Sequence, residues 1–312
     1  MQAVRYHRYG GSEVLVHEAA ERPVPGAGQA LVEVAGTTFN PVDAGIRAGA
    51  LHQVFPLEFP HIPGIDVAGT VVELGDGVDG WRAGDQVVAF LPMNADGAAA
   101  EFVLAPADAL ATAPRTVELA DGAALPVGGL TAWQALFELA ELRPGQTVLI
   151  NGADGAVGGY AVQLAHQAGA HVTATAGARH SERLQAEGAD PVIGHLDHTT
   201  TPLTTDGQPF DAVLNLVTTS PEQTAALADL LGDGGALVST TTPPPENPGR
   251  GIRTARVFVV SKADQLAELV ARVDRGELRI DVAARRDLAE LPAVHDEAAT
   301  GALAGKTVLT PA

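Results

Sequence analysis

The 312-residue chain contains no cysteine. Disulfides, thiolate nucleophiles and cysteine-ligated zinc are thereby excluded. Aromatic residues make up only 4%, so the core has to be built from Val, Leu, Ile and Ala. Positive charge is scarce as well: 19 Lys and Arg stand against 38 Asp and Glu, a formal net charge of −19. A polyanionic surface repels phosphate backbones and anionic headgroups, so neither nucleic acid nor a membrane is expected as a partner. No uninterrupted apolar run reaches the roughly 20 residues that span a bilayer. The opening residues 1–11 show no basic segment leading into an apolar one. A soluble, cytoplasmic protein is expected.

What the chain does have is a globular composition, 46% apolar and 18% charged, with 35 Gly and 21 Pro as punctuation. Up to residue 122 it reads as short β-rich runs broken by turns, at 30–35, 67–75, 86–90 and 100–104. From residue 123 the pattern changes. A helical stretch over 123–142 is followed by alternating strands and helices, with strands expected at 147–150, 171–175, 189–193, 212–216, 236–239 and 256–260. Apolar strands alternating with helices indicate a doubly wound parallel sheet. A helix over 262–275 and a short strand over 306–310 close the chain. The fold class is therefore α/β, with a β-rich domain and a Rossmann domain.

The most informative stretch is Val148-Leu-Ile-Asn-Gly-Ala-Asp-Gly-Ala-Val-Gly158. Within it, Ala153-x-Gly155-x-x-Gly158 stands between a strand and a helix, where a dinucleotide-binding loop belongs. A small residue at Ala153 permits the tight turn. Gly155, with Ala156 and Val157, offers backbone N–H groups to a pyrophosphate, and Gly158 lets helix and strand pack closely. About 20 residues on, an NAD site carries an acid for the ribose hydroxyls. Here the sequence reads Thr173-Ala-Thr-Ala-Gly177-Ala-Arg179-His180, with no acid and with a guanidinium that either takes a 2′-phosphate or is a solvated residue at a helix start. NADPH is the expected cofactor. Asn215, Val217, Ser239 and Thr240 fall at the carboxyl ends of later strands, where this fold binds its ligand.

Taken together, Asn40-Pro-Val-Asp-Ala-Gly-Ile-Arg-Ala-Gly49, Ile62-Pro-Gly-Ile-Asp-Val-Ala-Gly-Thr-Val-Val-Glu-Leu-Gly75, Gly129-Leu-Thr-Ala-Trp133, the dinucleotide loop and Gly305-Lys-Thr-Val-Leu309 resemble the zinc-independent quinone oxidoreductase (zeta-crystallin-like) branch of the medium-chain dehydrogenase/reductase superfamily. The resemblance implies a GroES-like substrate domain (1–122 plus 261–312) interrupted by a Rossmann NADPH-binding domain (123–260). It also implies a metal-free site, since zinc-dependent relatives carry Cys at the position of Asn40 and Gly-His-Glu at Gly64-Ile65-Asp66. The implied reaction is hydride transfer to a quinone or another α,β-unsaturated carbonyl, whose developing charge hydrogen-bond donors can stabilise. A biosynthetic enoyl reductase is the close alternative, and a catalytically idle NADPH-binding sensor is the alternative from another class.

Two catalytic candidates follow. The Asn40 amide either donates to the substrate oxygen or merely caps its loop. His52 either supplies a proton or is a solvated loop residue. Asp43 and Arg47 are expected to pair with each other or to order the loop. Gly45 stands where relatives often place a Tyr that lines the site. By resemblance, Thr131 lies near the nicotinamide or phosphates, with an ordinary helix residue as the alternative, and His195 stands where relatives often place a Tyr near the 2′-phosphate. Phe258 packs against the nicotinamide or into the core. Lys306 either reaches substrate or phosphate, or is an ordinary surface Lys at a strand start. The run Val257-Phe-Val-Val260, as an open sheet edge, is expected to pair two copies into a homodimer.

Overall fold

The computed structural model describes residues 1–303 and 305–311. By its internal contacts the chain divides into Met1–Val127 with Ser261–Ala312, and Gly128–Val260. The first unit begins with β1 (Gln2–Arg5), β2 (Val16–Ala19) and β3 (Gln29–Thr38), then α1 (Pro41–Arg47), β4 (Asp66–Leu74), β5 (Gln86–Phe90), β6 (Phe102–Pro106) and β7 (Leu110–Thr112). The chain enters the second unit through α2 (Pro126–Trp133). That unit holds β8 (Thr147–Asn151), α3 (Ala156–Gln167), β9 (His171–Thr175), α4 (Ser181–Ala186), β10 (Val192–Ile193), β11 (Phe210–Asn215), α5 (Pro221–Ala226), β12 (Leu231–Ser239) and β13 (Arg253–Arg256). The chain then returns to the first unit with α6 (Ala263–Asp274), β14 (Ala284–Asp287), α7 (Leu291–Ala299) and β15 (Thr307–Thr310).

The GroES-like sheet runs β14-β15-β3-β4-β5-β7, with β6 also paired to β3. β3 is the long central strand. One edge pairs with β4 along most of its length, and the other meets β6 first and β15 last. Its small and β-branched residues Ala30, Val32 and Val34 are buried with Val67, Val71, Val87, Ala89 and Leu91, as an alternating strand buries one face. The amphipathic α6 buries Leu266, Leu269, Val270 and Val273, the face its spacing predicts.

The Rossmann sheet is fully parallel, in the order β10-β9-β8-β11-β12-β13. Leu149, Val213 and Leu237, from three neighbouring strands, meet Phe210, Leu227 and Leu230 in one core.

Three expectations need correction. The edge strand is β13, four residues earlier than the Val-rich run at 257–260, which forms no strand and leaves Phe258 69% exposed. Arg253 pairs with Ala236 and Arg256 with Ser239, so pairing stops where β12 stops. β-propensity pointed to the more apolar segment, but an edge strand needs no apolar side chains to take its ladder bonds. The helix expected over 123–142 is broken into a 3-10 segment at Leu119–Ala124, α2, and a π-helical segment at Gln134–Leu139. The strand expected at 189–193 shortens to Val192–Ile193, because Pro191 has no N–H to give a ladder.

Candidate active site

Two clusters carry the chemistry, one in each unit. In the GroES-like unit, strand register assembles the first. Thr38 pairs with Val308 across β3 and β15, and the same register sets Asn40 opposite Lys306. Across the other edge Gly36 pairs with Ala68, which brings Thr38 to Asp66 at the start of β4. The result is a buried network. Lys306 Nζ donates to Asn40 Oδ1 at 2.7 Å and to Asp66 Oδ2 at 3.0 Å. Asn40 Nδ2 donates to the same Asp66 oxygen at 2.9 Å, and Thr38 Oγ1 does so at 2.5 Å. The other carboxylate oxygen, Oδ1, accepts the Val127 backbone N–H at 2.8 Å. Asn40 and Lys306 are 6% and 5% exposed, and Asp66 is fully buried. A buried charge persists only when it is paired and hydrogen-bonded, and this carboxylate has both kinds of partner.

Lys306 is therefore not the surface lysine expected at a strand start. Register with β3 turns it inward, and Asp66 supplies the counter-charge. Asp43 and Arg47 do not pair either. Asp43 Oδ2 accepts the Asn40 backbone N–H at 2.8 Å and closes a capping box at the start of α1. Arg47 Nε and Nη1 are buried with no hydrogen-bond partner among the described residues. Burial pushes the Asp43 carboxyl up to about 7, helped by the nearby Asp66 charge and opposed by the Asn40 backbone N–H. Asp43 also lines a small cavity with Tyr6, Ile46, His61 and Met93.

His52 stands apart from this network. It is exposed, its Nδ1–H donates to Gly49 O at 2.8 Å, and its ring lies tilted against Tyr9. Gly45 lies within α1, where an added methyl group would meet only Leu51, at 3.5 Å. Among the described residues no group of three or more His, Cys, Asp or Glu side chains is placed to hold a metal ion.

In the Rossmann unit the dinucleotide loop has the expected local geometry. Gly155 is the N-cap of α3 in extended conformation, and among the described residues no side chain caps the helix. The first-turn N–H groups of Ala156, Val157 and Gly158 are therefore open to an anion at the positive end of the helix dipole. No acid occupies that first turn. A methyl group on Gly155 would find nothing nearer than Gly152 O at 3.7 Å, which leaves open space for a phosphate. At Gly158 a methyl group would lie 2.5 Å from Ala153 Cα, so only glycine lets α3 pack against the turn. These residues fit a dinucleotide pyrophosphate.

Below the loop, the last residues of four strands form a ladder. Gly152 N–H donates to Thr175 Oγ1 (2.9 Å), which donates to Asn151 Oδ1 (2.8 Å). Asn151 Nδ2 donates to Asn215 Oδ1 (2.8 Å). Asn215 Nδ2 in turn reaches Thr219 Oγ1, Val217 O and Ser239 Oγ at 3.1–3.3 Å. Asn215 and Ser239 are fully buried, so their side chains serve this ladder. Val217 is half-buried, and Thr240 is tied to Asn215 O by its N–H at 3.0 Å.

Gly177 follows β9, and its N–H points to Asp154 Oδ2 at 3.4 Å. Arg179 is exposed, with Nε 2.9 Å from His180 Nε2. His195 is exposed beyond β10, and Thr131 is buried on α2. Phe258 lies under the Arg256 guanidinium, 5.1 Å from its ring centroid, rather than in the core.

Sequence spacing did not reveal Asp66 and Lys306 as partners of Asn40, nor Asn151 and Thr175 as supports of the loop. The available signal was a charged residue at the head of an otherwise apolar strand in each of Asp66-Val-Ala and Lys306-Thr-Val-Leu.

Comparison with known proteins agrees with this architecture. Residues 26–115 match the alcohol dehydrogenase GroES-like domain, and residues 187–309 match a family described as zinc-binding dehydrogenase. The chloroplast envelope quinone oxidoreductase homolog of Arabidopsis thaliana is 33% identical over 326 residues, covering 100% of this chain and 98% of that protein. The quinone oxidoreductase structure from Coxiella burnetii superposes with a TM-score of 0.90 at 29% identity, over 100% of this chain and 99% of that one. A mycobacterial structure complexed with NADPH gives 0.85 at 27% identity, covering 100% of both chains. The chain belongs to the quinone oxidoreductase branch of the medium-chain dehydrogenase/reductase superfamily and is a nicotinamide-dependent oxidoreductase.

Proposed function

We propose that this protein uses NADPH to reduce a quinone or another α,β-unsaturated carbonyl compound without zinc. The observation that carries the reading is the Lys306 ammonium, bonded to both Asn40 and Asp66. These two residues stand where zinc-dependent relatives carry a Cys ligand and a Glu. A fixed cation at that point repels a divalent metal. The Asn40 amide remains as a neutral hydrogen-bond donor for an oxygen that gains negative charge. Bound NADPH supplies the hydride.

The chain's own residues have three further tasks in this reading. The α3 N-terminus and Gly155 hold the pyrophosphate, with Gly158 keeping the helix close. Arg179, with Gly177 and His195 nearby in the chain, takes the 2′-phosphate. Thr131, Val217, Thr240 and Phe258 are assigned to the remainder of the nucleotide. Asn40 is favoured over His52 as the group that meets substrate, because its amide is held by charged partners whereas the imidazole is exposed and, among the described residues, hydrogen-bonded to Gly49 O alone. The same reading places the protein in the cytoplasm as a homodimer joined at the β13 edge.

The test is oxidation of NADPH by the purified chain across quinones, alkenals, simple ketones and aldehydes, with and without a chelator. Turnover confined to the conjugated acceptors and indifferent to the chelator is expected. Tight NADPH binding with no turnover on any acceptor would overturn the reading.

A further inference from the structure

The orientation of the Asn40 amide is fixed by what its neighbours can and cannot do. An ammonium only donates, so the amide atom 2.7 Å from Lys306 Nζ is the carbonyl oxygen. A carboxylate only accepts, so the atom 2.9 Å from Asp66 Oδ2 is the nitrogen. Asp66 is itself held by Thr38 Oγ1 and the Val127 N–H, so it cannot follow the amide if the amide turns. The Asn40 backbone is pinned separately through Asp43. One amide N–H is consumed by Asp66. The second has no protein acceptor among the described residues.

We infer that Lys306 and Asp66 are positioning residues for the reaction: they lock the Asn40 side chain so that its second amide N–H is permanently presented as the donor to the acceptor's oxygen. This rests on the role of Asn40 given above. The terminal torsion of an Asn side chain is soft, and its two ends are similar in shape. Without the pair the side chain is free to leave its rotamer as well as to turn its amide over, so the donor holds its working position in only a small fraction of conformers, and an outward carbonyl repels developing negative charge. A donor fixed in advance costs no reorganisation at the moment of reaction.

The test is a cycle of full-length variants assayed with NADPH and a naphthoquinone. Asn40→Ala is expected to lower kcat about 100-fold, the usual loss for one donor to a developing oxyanion. Asp66→Asn with Lys306→Met removes both charges together, so that neither is left buried alone. It is expected to lower kcat about 30-fold, with KM for NADPH changed less than about twofold because the nucleotide loop is untouched. All three substitutions in one chain are expected to be no worse than Asn40→Ala alone, since no amide is left to orient.

Multiplication of the two losses would overturn the proposal, as would wild-type kcat in the charge-free pair. Lys306→Arg, which keeps the charge, is the second arm should the pair not fold. A loss of a few fold that vanishes in the Asn40→Ala background is expected, and one that persists there overturns the proposal. Unchanged kcat in Asn40→Ala alone has a separate meaning: it removes the role of Asn40 itself, and the positioning proposal with it. Thermal melting of each variant separates these outcomes from unfolding.

Discussion

Lys306 Nζ and Asp66 Oδ2 lie 3.0 Å apart with both side chains buried, although 240 residues separate them in the chain. The last strand of the protein is thereby tied to the middle of the GroES-like sheet by charge as well as by ladder bonds. Removing one partner leaves an uncompensated buried ion, which costs about 3–5 kcal/mol, whereas removing both is far milder. Lys306→Met is therefore expected to lower unfolding free energy by about that amount. Asp66→Asn with Lys306→Met is expected to recover most of it in denaturant titrations.

The dinucleotide loop gives a steric prediction. Because a methyl group at Gly158 would lie 2.5 Å from Ala153 Cα, Gly158→Ala forces α3 away from the turn. Overpacking of this kind costs about 1–3 kcal/mol. NADPH affinity by fluorescence titration is expected to fall at least about tenfold, since the α3 N–H groups leave their places. Unchanged affinity would separate the nucleotide from this loop.

Two residues near the end of β9 give a prediction about coenzyme choice. Arg179→Ala is expected to weaken NADPH about tenfold and leave NADH nearly unchanged, because only the former carries a phosphate for the guanidinium. Asp154 places a carboxylate at the Gly177 N–H, in the same neighbourhood. Asp154→Asn removes a negative charge there and is expected to shift the ratio of kcat/KM further toward NADPH. Both ratios come from steady-state kinetics with the two nucleotides.

Two buried groups tilt stability with pH in opposite directions. His295 has both ring nitrogens without a hydrogen-bond partner among the described residues, and burial, with Arg47 nearby, lowers its pKa to about 3. The unfolded chain takes up that proton near 6.5, so the His295 contribution to stability declines as pH falls from about 6.5 towards 3. Asp43, raised to about 7, binds its proton more tightly folded than unfolded. Its contribution is full below about 4 and is lost as pH rises through 7. Relative to the parent, His295→Leu is expected to gain stability on acidification from pH 7 to 5. Asp43→Asn, which keeps an acceptor for the Asn40 N–H, is expected to gain on going from pH 5 to 8. Urea unfolding at the three pH values checks both signs.

The open edge at β13, with Phe258 and Val260 exposed just beyond it, bears on assembly. A mass of two chains is expected by light scattering, and a mass of one chain at micromolar concentration contradicts the pairing.

Much of this architecture was legible in the sequence, because it rests on local signals. The Gly155–Gly158 spacing, the apolar runs at 147–150 and 171–175 and the stripe at Leu266, Leu269, Val270 and Val273 each report their own element. What was not legible depends on register. Nothing local says that Lys306 points inward, because that follows from Thr38 pairing with Val308 rather than with a neighbour one residue away. The same holds for Asn151, Thr175 and Asn215, which become one ladder only when three parallel strands end level. The misplaced edge strand shows the converse: Val257-Phe-Val-Val260 has the stronger β-propensity, but the pairing partner ends at Ser239.

The most direct test of metal-free reduction assisted by an amide donor is the rate of NADPH oxidation by chelator-treated protein with a quinone, before and after Asn40→Ala. Full parental turnover without metal is predicted, with kcat falling about 100-fold in the variant at unchanged NADPH affinity. Turnover that disappears on chelation and returns with zinc, or a variant as fast as the parent, would contradict the account.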